Sequence, residues 1–567
     1  MSKRLKNPPA ASHWDSETQY LLWLATCVSV FSFLYYFQRG DVLLYGDAVA
    51  HINIARRVFD SKTPGLLQLG TVWLPLPHLL MIPFLISDDL WQRGAGGSIP
   101  SLAGFVFAIV GMFRLVRGIL SRGPEPDSAA RGAAWTAAIV FAANPNLIYM
   151  QSTAMGEALY LAFFIWAVVY FGEWVRGDAK ALPKCGLCLV AACLTRYDGW
   201  LLAVAMIFTV LWRVFASRNT ASAGVRSVMD SRMALAKFIL LAVSAPTLWL
   251  AYNGIIYRNP LEFENGPYSA KAIERKTQTA GNPGHPGNHN LLLAGLYFVK
   301  SAEVNVAENM WLERVWLLLA ATGLLVTAFK LSSRNSDENA SQSFLQAHST
   351  TWPLLFLLLP LPFYALSVAY GGVPIFVPPF WPNTHYNVRY GLQLLPAFAV
   401  AVAMLVYFAV SLGDWKVRTR AAAVLAVLAF VIASYASIWS AGPQCLQEAQ
   451  INMRYHNALD AQLASWLQKL PHESTLLMYL GDHVGALQQA GIPLKSVINE
   501  GNHRVWKQPR DLGGLWERAL ADPARYADFA VAFEGDPVWQ AVHDQHLRAI
   551  VELHITGQPP AVLYHVR

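Results

Sequence analysis

Predominantly apolar runs, most of 17 to 22 residues, recur along this chain and are separated by short loops. This pattern limits the fold more than any single motif. A helix needs about 20 such residues to cross ~30 Å of hydrocarbon. Of the 567 residues, 54% are hydrophobic and 14% charged, against about 25% charged in soluble domains. The chain therefore reads as a polytopic membrane protein rather than a string of soluble domains. Twenty Trp and 22 Tyr fit interfacial belts. The formal charge of +7 sits mostly in short loops between apolar runs, which is a topology signature and not a nucleic-acid footprint.

Lys3, Arg4 and Lys6 place residues 1–19 in the cytoplasm. The apolar run 20–37 is too long for a cleaved signal segment and lacks a small-residue cleavage site, so it is read as the first span. The proline-rich run 71–84 is too short to cross and is assigned to the outer surface. Spans are expected at about 100–120, 132–150 and 158–174. The 33-residue stretch 184–216 would reach about 50 Å as one helix. Both its ends are basic and Thr195-Arg196-Tyr197-Asp198-Gly199 interrupts it, so it is read as a hairpin of two short helices. Further spans follow at 238–257, 311–330, 352–370, 390–412 and 421–440. The total is eleven, with the N-terminus inside and the C-terminus outside.

Residues 258–310 are expected to form a long external loop whose centre, 281–289, cannot hold a helix or strand. A solvated connector is expected at 331–350 and a Pro/Gly-rich outer loop at 371–388. Cys185 and Cys188 have redox-like spacing, but inside an apolar run they read as packing. From 441 the composition becomes soluble. An amphipathic helix (447–469) precedes strand-like runs at 475–480, 494–498, 528–533 and 561–566, alternating with helical ones. The fold class is an all-α polytopic membrane domain (20–440) with outer juxtamembrane helices, followed by a small α/β extracytoplasmic domain (441–567).

With this topology, the ionisable groups not explained as topology fall on the outer side: Asp47, His51, Arg56, Arg57, Glu157, Arg196, Asp198, Lys271, Arg275, Lys276, His385 and Arg389. Several lie at span ends, where apolar walls strengthen charge effects. A carboxylate facing several cations at a lipid surface suits a water-poor site for a lipid-linked phosphate. Arginine binds phosphate through a planar fork, and a carboxylate can take a proton from an attacking hydroxyl. Each group has a plainer reading. Asp47 could cap the helix 48–59. Arg196 and Asp198 could pair only with each other, Arg389 could snorkel, and Arg56 and Arg57 could meet lipid headgroups. Asp47 and His51 share a helix face one turn apart, but such a pair alone is not a metal site. His285 and His289 have helical metal spacing in a stretch that cannot be helical and are set aside.

The pattern resembles the GT-C superfamily of membrane glycosyltransferases, near the bacterial relatives of dolichyl-phosphate-mannose–protein mannosyltransferases and lipid A aminoarabinose transferases. The resemblance rests on Gly46-Asp47-Ala48, Ala55-Arg56-Arg57, Leu74-Pro75-Leu76-Pro77-His78 and Ala154-Met155-Gly156-Glu157. Leu194-Thr195-Arg196-Tyr197-Asp198-Gly199 and Asn387-Val388-Arg389-Tyr390-Gly391 complete it. It implies transfer of a sugar from a polyprenyl-phosphate carrier on the outer face, with Asp47 as general base, Glu157 as the second outer acid, and Arg196 and Arg389 at the positions of the family's basic residues. Many relatives carry two adjacent acids in the first loop, and here Ala48 follows Asp47. No cofactor and no metal ligand are assigned.

The expected activity is therefore an inverting glycosyltransferase. Asp47 and Glu157 are its catalytic candidates, and His51, Arg56, Arg196, Asp198, Lys271, His385 and Arg389 are candidates for substrate binding. Its partners would be a polyprenyl-phosphate-linked sugar, membrane lipid and a glycan, lipid or protein acceptor, with no nucleic acid. Its place would be the bacterial inner (plasma) membrane. The rival is a non-enzymatic transporter or lipid flippase, which calls for ionisable groups at mid-membrane along a path between both faces.

Overall fold

The computed structural model describes residues 15–121, 128–217, 225–277, 284–333, 351–411, 416–481, 483–502 and 512–567. Lys3, Arg4 and Lys6, the loop arginines Arg122 and Arg218, the loop centre 281–283 and most of the 331–350 connector lie outside them.

The described chain opens with α1 (Ser16–Gln38), whose N-cap Asp15 accepts a hydrogen bond from the Thr18 amide at 3.0 Å. The short α2 (Gly46–Arg57) and α3 (Leu76–Met81) precede α4 (Ala95–Leu120), α5 (Ser128–Ala142) and α6 (Glu157–Val175). A tight hairpin of α7 (Ala181–Cys193) and α8 (Asp198–Ser217) leads to α9 (Val225–Ile256), α10 (Leu291–Val306) and α11 (Met310–Ser333). A 3-10 stretch, Trp352–Leu358, runs into α12 (Pro360–Tyr370), and a second, Val388–Leu394, runs into α13 (Leu395–Ser411). Then come α14 (Val417–Ala441), α15 (Gln444–Leu467) and α16 (Val484–Ala490).

Among the described residues, nine helical stretches are long and apolar enough to cross a membrane. Ala181–Cys193 (α7) is a further, shorter apolar helix, and of the eleven segments that the apolar runs predict the run 132–150 is broken at Asn144. Large apolar side chains such as Phe208, Leu240 and Ile432 stay exposed on the flanks of these helices, as a lipid solvent requires. The chain is a multi-pass integral membrane protein.

Two departures from the sequence reading have local causes. The run 132–150 is not one helix, because Asn144 caps a new one. Its side chain accepts from the Leu147 amide at 2.9 Å, and Pro145 takes the first position of the helix Pro145–Gln151. The region 258–310 is not simply a loop. Asn290 caps α10, whose face of Ala294, Tyr297, Phe298, Ser301 and Ala302 is buried against Val388–Leu394 and α12.

Beyond α15, five strands form one sheet in the order β2-β1-β3-β5-β4: β1 Leu476–Met478, β2 Val497–Ile498, β3 Phe529–Phe533, β4 Arg548–Leu553 and β5 Ala561–His565. β1 pairs in parallel with β2 and with β3, in register Leu476 to Phe529. β5 runs antiparallel to β3, with Phe529 opposite His565, and β4 closes the edge antiparallel to β5. The edge strand β4 was not expected. Its apolar run is only Ala549-Ile550-Val551, bounded by the charged Arg548 and Glu552. Cys445, Ala449, Leu459 and Leu463 of α15 belong to the same buried cluster as the helical bundle. The sheet is thereby seated on the end of the bundle that carries α2 and the hairpin tip.

Candidate active site

Asp47 lies in the first turn of α2. Tyr45 holds the N-cap position without a side-chain cap, so the Asp47 carboxylate is not used to start its own helix. It reaches across the fold instead. Its Oδ2 accepts a 2.7 Å hydrogen bond from a terminal nitrogen (NH2) of Arg389.

Arg389 is aimed by its neighbours. Asn387 adopts a left-handed backbone (φ 56°), which asparagine tolerates better than most residues. Glu448 on α15 then grips the turn. Its Oε1 accepts from the Asn387 amide (3.0 Å) and from Arg389 NH1 (2.9 Å), and its Oε2 accepts from the Val388 amide (2.8 Å). Gly391 packs so tightly on the backbone of Ser301 and Ala302 that no side chain fits there.

Arg196 stands at the tip of the α7–α8 hairpin. The two helices meet closely because residue 199 is glycine; a methyl group there would come within 2.8 Å of the Ala192 carbonyl oxygen. Glu157, the first residue of α6, sits between the two arginines. Its Oε1 accepts from Arg196 NH1 at 3.1 Å and lies 3.3 Å from Arg389 Nε. The other terminal nitrogen of Arg196 donates to the Tyr364 hydroxyl (2.8 Å), which donates to Asp198 Oδ2 (3.2 Å). The Tyr390 ring lies between the guanidiniums, 4.8 Å from that of Arg196 and 5.0 Å from that of Arg389.

The ion pairs of Arg196 Nε with Asp198 (3.5 Å) and of Arg389 Nε with Glu157 lack hydrogen-bond geometry. Both Nε donors, Glu157 Oε2 and Asp198 Oδ1 are therefore buried without a hydrogen-bond partner. Unspent donors on two adjacent guanidiniums are what an incoming oxyanion needs. The acids differ in access: the Asp47 side chain is 40% exposed and that of Glu157 only 1%.

No family model and no curated relative matches the chain. Solved structures do. The chain aligns with the crystal structure of ArnT from Cupriavidus metallidurans bound to undecaprenyl phosphate over 97% of its own length and 99% of that chain, at 13% identity and a TM-score of 0.53. Against apo ArnT from the same organism the coverage is 97% and 98%, at 13% identity and a TM-score of 0.50. This chain has the GT-C fold of ArnT.

Within this GT-C fold, five of the residues picked from sequence meet in one network: Asp47, Glu157, Arg196, Asp198 and Arg389. His51 lies one turn beyond Asp47. Its Nδ1 is 2.7 Å from His78 Nε2, and its ring packs 4.5 Å from that of Trp73. Burial lowers the His51 pKa to about 4, so both ring partners are neutral at pH 7. Three others take different partners. Arg56 is buried under α2, where it binds Asp60 and Asp88. Lys271 pairs with Glu264 on a helix outside the network. His385 bonds to Gln444 Oε1 at 2.9 Å and ties the 371–387 loop to α15.

Sequence reasoning missed Glu448, Tyr364, Tyr390 and His78. Glu448 had a signal, since it is an acid on the apolar face made by Cys445, Leu446 and Ala449. Tyr364 had none, being indistinguishable from other aromatics of the membrane helices, and Tyr390 stood beside Arg389 in a quoted motif without being given a role.

Proposed function

We propose that this chain is a membrane glycosyltransferase. It would move a sugar from a polyprenyl-phosphate carrier to a hydroxyl of a glycan, lipid or protein acceptor at the outer face of the membrane, with inversion at the anomeric carbon. One observation carries the reading: an accessible carboxylate, Asp47, is hydrogen-bonded to one of two arginines that share a single buried rim. The fold it shares with ArnT, which was crystallised with undecaprenyl phosphate, supports a lipid phosphate as the ligand of that rim.

The carrier phosphate binds at the rim formed by Arg196 and Arg389 and takes up their Nε–H donors, which are ion-paired but not hydrogen-bonded. Four carboxylates (Asp47, Glu157, Asp198, Glu448) already face these two guanidiniums, so an added anion must displace one of them. Asp47 is the exposed one and is held by a single arginine nitrogen. Its release from Arg389 frees it to accept the acceptor's proton as the hydroxyl oxygen attacks the anomeric carbon. The bond from that carbon to the phosphate oxygen breaks, and the electron pair remains on the phosphate. There the two guanidiniums stabilise it in a site shielded from water. Glu157 holds both guanidiniums from below, and Tyr390 spaces them. The carrier is confined to the membrane plane, which removes part of the entropic cost of encounter.

The test is transfer from a panel of polyprenyl-phosphate sugars by the purified chain, with the anomeric configuration of the product read by NMR. The reading requires transfer from at least one carrier-linked sugar and inversion. Retention of configuration, or movement of the lipid across the bilayer without transfer, would overturn it.

A further inference from the structure

A second group of chemically capable side chains lies outside the arginine rim. His456 and Asp460 are one turn apart on the same face of α15, and His483 immediately precedes α16. Asp460 contacts both imidazoles, with Oδ2 at 3.4 Å from His456 Nε2 and Oδ1 at 3.0 Å from His483 Nδ1. The imidazole rings stack at 4.5 Å and 11°. Asp460 is almost fully buried, while 12% of the His456 side chain is open at the rim.

We infer that His456, Asp460 and His483 form a binding site for a divalent transition-metal cation of the zinc type, which clips α15 to α16. Ligand atoms of the three residues lie within 4.8 Å of one another. Around Zn²⁺ with bonds of ~2.0–2.1 Å, tetrahedral ligands stand about 3.4 Å apart; His456 Nε2 and Asp460 Oδ2 already have that separation, and His483 Nδ1 lies 3.0 Å from the other carboxylate oxygen. Two nitrogens and one carboxylate oxygen suit a borderline cation better than Ca²⁺ or Mg²⁺, which favour all-oxygen shells. The open edge at His456 leaves room for a water as fourth ligand.

The position in the fold gives independent support. His483 lies in the loop that leaves the carboxyl end of β1, and its ring stacks at 4.1 Å on Phe533, the last residue of the neighbouring parallel strand β3. Crevices outside the carboxyl ends of parallel strands are the usual ligand position in such sheets. The site also abuts the helix that carries Asp47. Gly485 packs against Val49 of α2 and against Asp460. From α16, Gln488 accepts from Asn53 (2.6 Å) and donates to the Trp91 carbonyl (2.8 Å). A cation between α15 and α16 therefore fixes the platform on which α2 rests.

The test is Zn²⁺ binding by the full-length chain in detergent after chelator treatment, followed by calorimetry and by the visible spectrum of the Co²⁺ form. It does not use glycosyl transfer, so its outcome is independent of the assignment made for Asp47. The expected result is one equivalent bound, with affinity falling by about 100-fold or more in His456→Ala and in His483→Ala, and a melting temperature raised by Zn²⁺ only in the wild type. His456→Ala, altered at the open edge, and the wild-type Co²⁺ spectrum carry the test if the buried variants do not fold. Absence of stoichiometric binding, a Co²⁺ spectrum of octahedral water ligation only, or unchanged affinity in a folded His456→Ala overturns the proposal and leaves the trio as a hydrogen-bonded ion network.

Discussion

Asp47 and Arg389 stand 342 positions apart in the chain, yet Asp47 Oδ2 and a terminal nitrogen of Arg389 are 2.7 Å apart. The acid comes from the first turn of a short helix and the base from a 3-10 turn that opens a late span. Their contact closes a network in which Arg389 also meets Glu157 and Glu448. The predictions below follow from what each member of that network holds in place.

Arg389→Lys keeps the charge and loses the fork. A single ammonium cannot meet Asp47, Glu448 and a phosphate in the directions a guanidinium does. Transfer should fall about 10²–10³-fold, and the melting temperature should fall as well because buried Glu157 and Glu448 lose part of their partner. Steady-state rates and thermal melts of the same preparation check both parts.

Glu448→Ala should act through Arg389. Two backbone amides and one guanidinium nitrogen lose their acceptor in a buried setting, at a cost of about 3 kcal/mol. Because the residue positions rather than reacts, Glu448→Gln should recover much of the stability. The Gln variant should show a raised KM for the lipid donor with a smaller change in kcat. Melting curves and donor titrations distinguish these outcomes.

Gly199→Ala tests the hairpin. The added methyl meets the backbone of Ala192, so the two helices must part, at about 1–3 kcal/mol. Arg196 moves with the tip, and activity should fall more than in Gly132→Ala, on the exposed face of α5 where nothing lies nearby. Activity measured alongside thermal stability for both variants checks this.

The buried histidine His51 predicts a pH dependence of stability. Its ring titrates near 6.5 when unfolded and at about 4 when folded. The unfolded chain therefore takes up the proton first as pH falls. The contribution is complete above pH 6.5 and is lost as pH drops from 6.5 through 4, by about 3 kcal/mol in all. His78, whose pKa burial also lowers, adds in the same direction. Melting temperatures across this range should fall for the wild type and fall less steeply for His51→Phe.

The spans were legible because a long apolar run bounded by basic residues admits few other structures, and nine helices long and apolar enough to cross a membrane are present among the described residues. The hairpin at Arg196 was legible for the same reason, since both ends of its apolar stretch are basic. α10 was not, because Gly and Pro around 281–287 outweighed the apolar periodicity that follows them. In the site, Asp47, Glu157, Arg196, Asp198 and Arg389 could be named because each charge stands at a break in an apolar run. Their mutual distances could not be named, since these depend on how α2, α6 and Val388–Leu394 pack. Arg56, Lys271 and His385 illustrate the limit. Each has a polar partner nearby in the fold (Asp60 and Asp88, Glu264, Gln444), and sequence could not tell that these would take them. Glu448 was missed because its role arises only when α15 returns across the bundle end.

The central claim rests on the carboxylate of Asp47, and replacing it with the isosteric amide is the most direct trial. Asp47→Asn keeps the shape and an acceptor for Arg389 but cannot take the acceptor's proton. With a saturating polyprenyl-phosphate sugar, kcat should fall about 10²–10⁴-fold while donor binding is kept or tightened, because the phosphate no longer displaces a carboxylate from Arg389, and the melting temperature stays near wild type. Turnover by Asp47→Asn equal to that of the wild type would contradict the account.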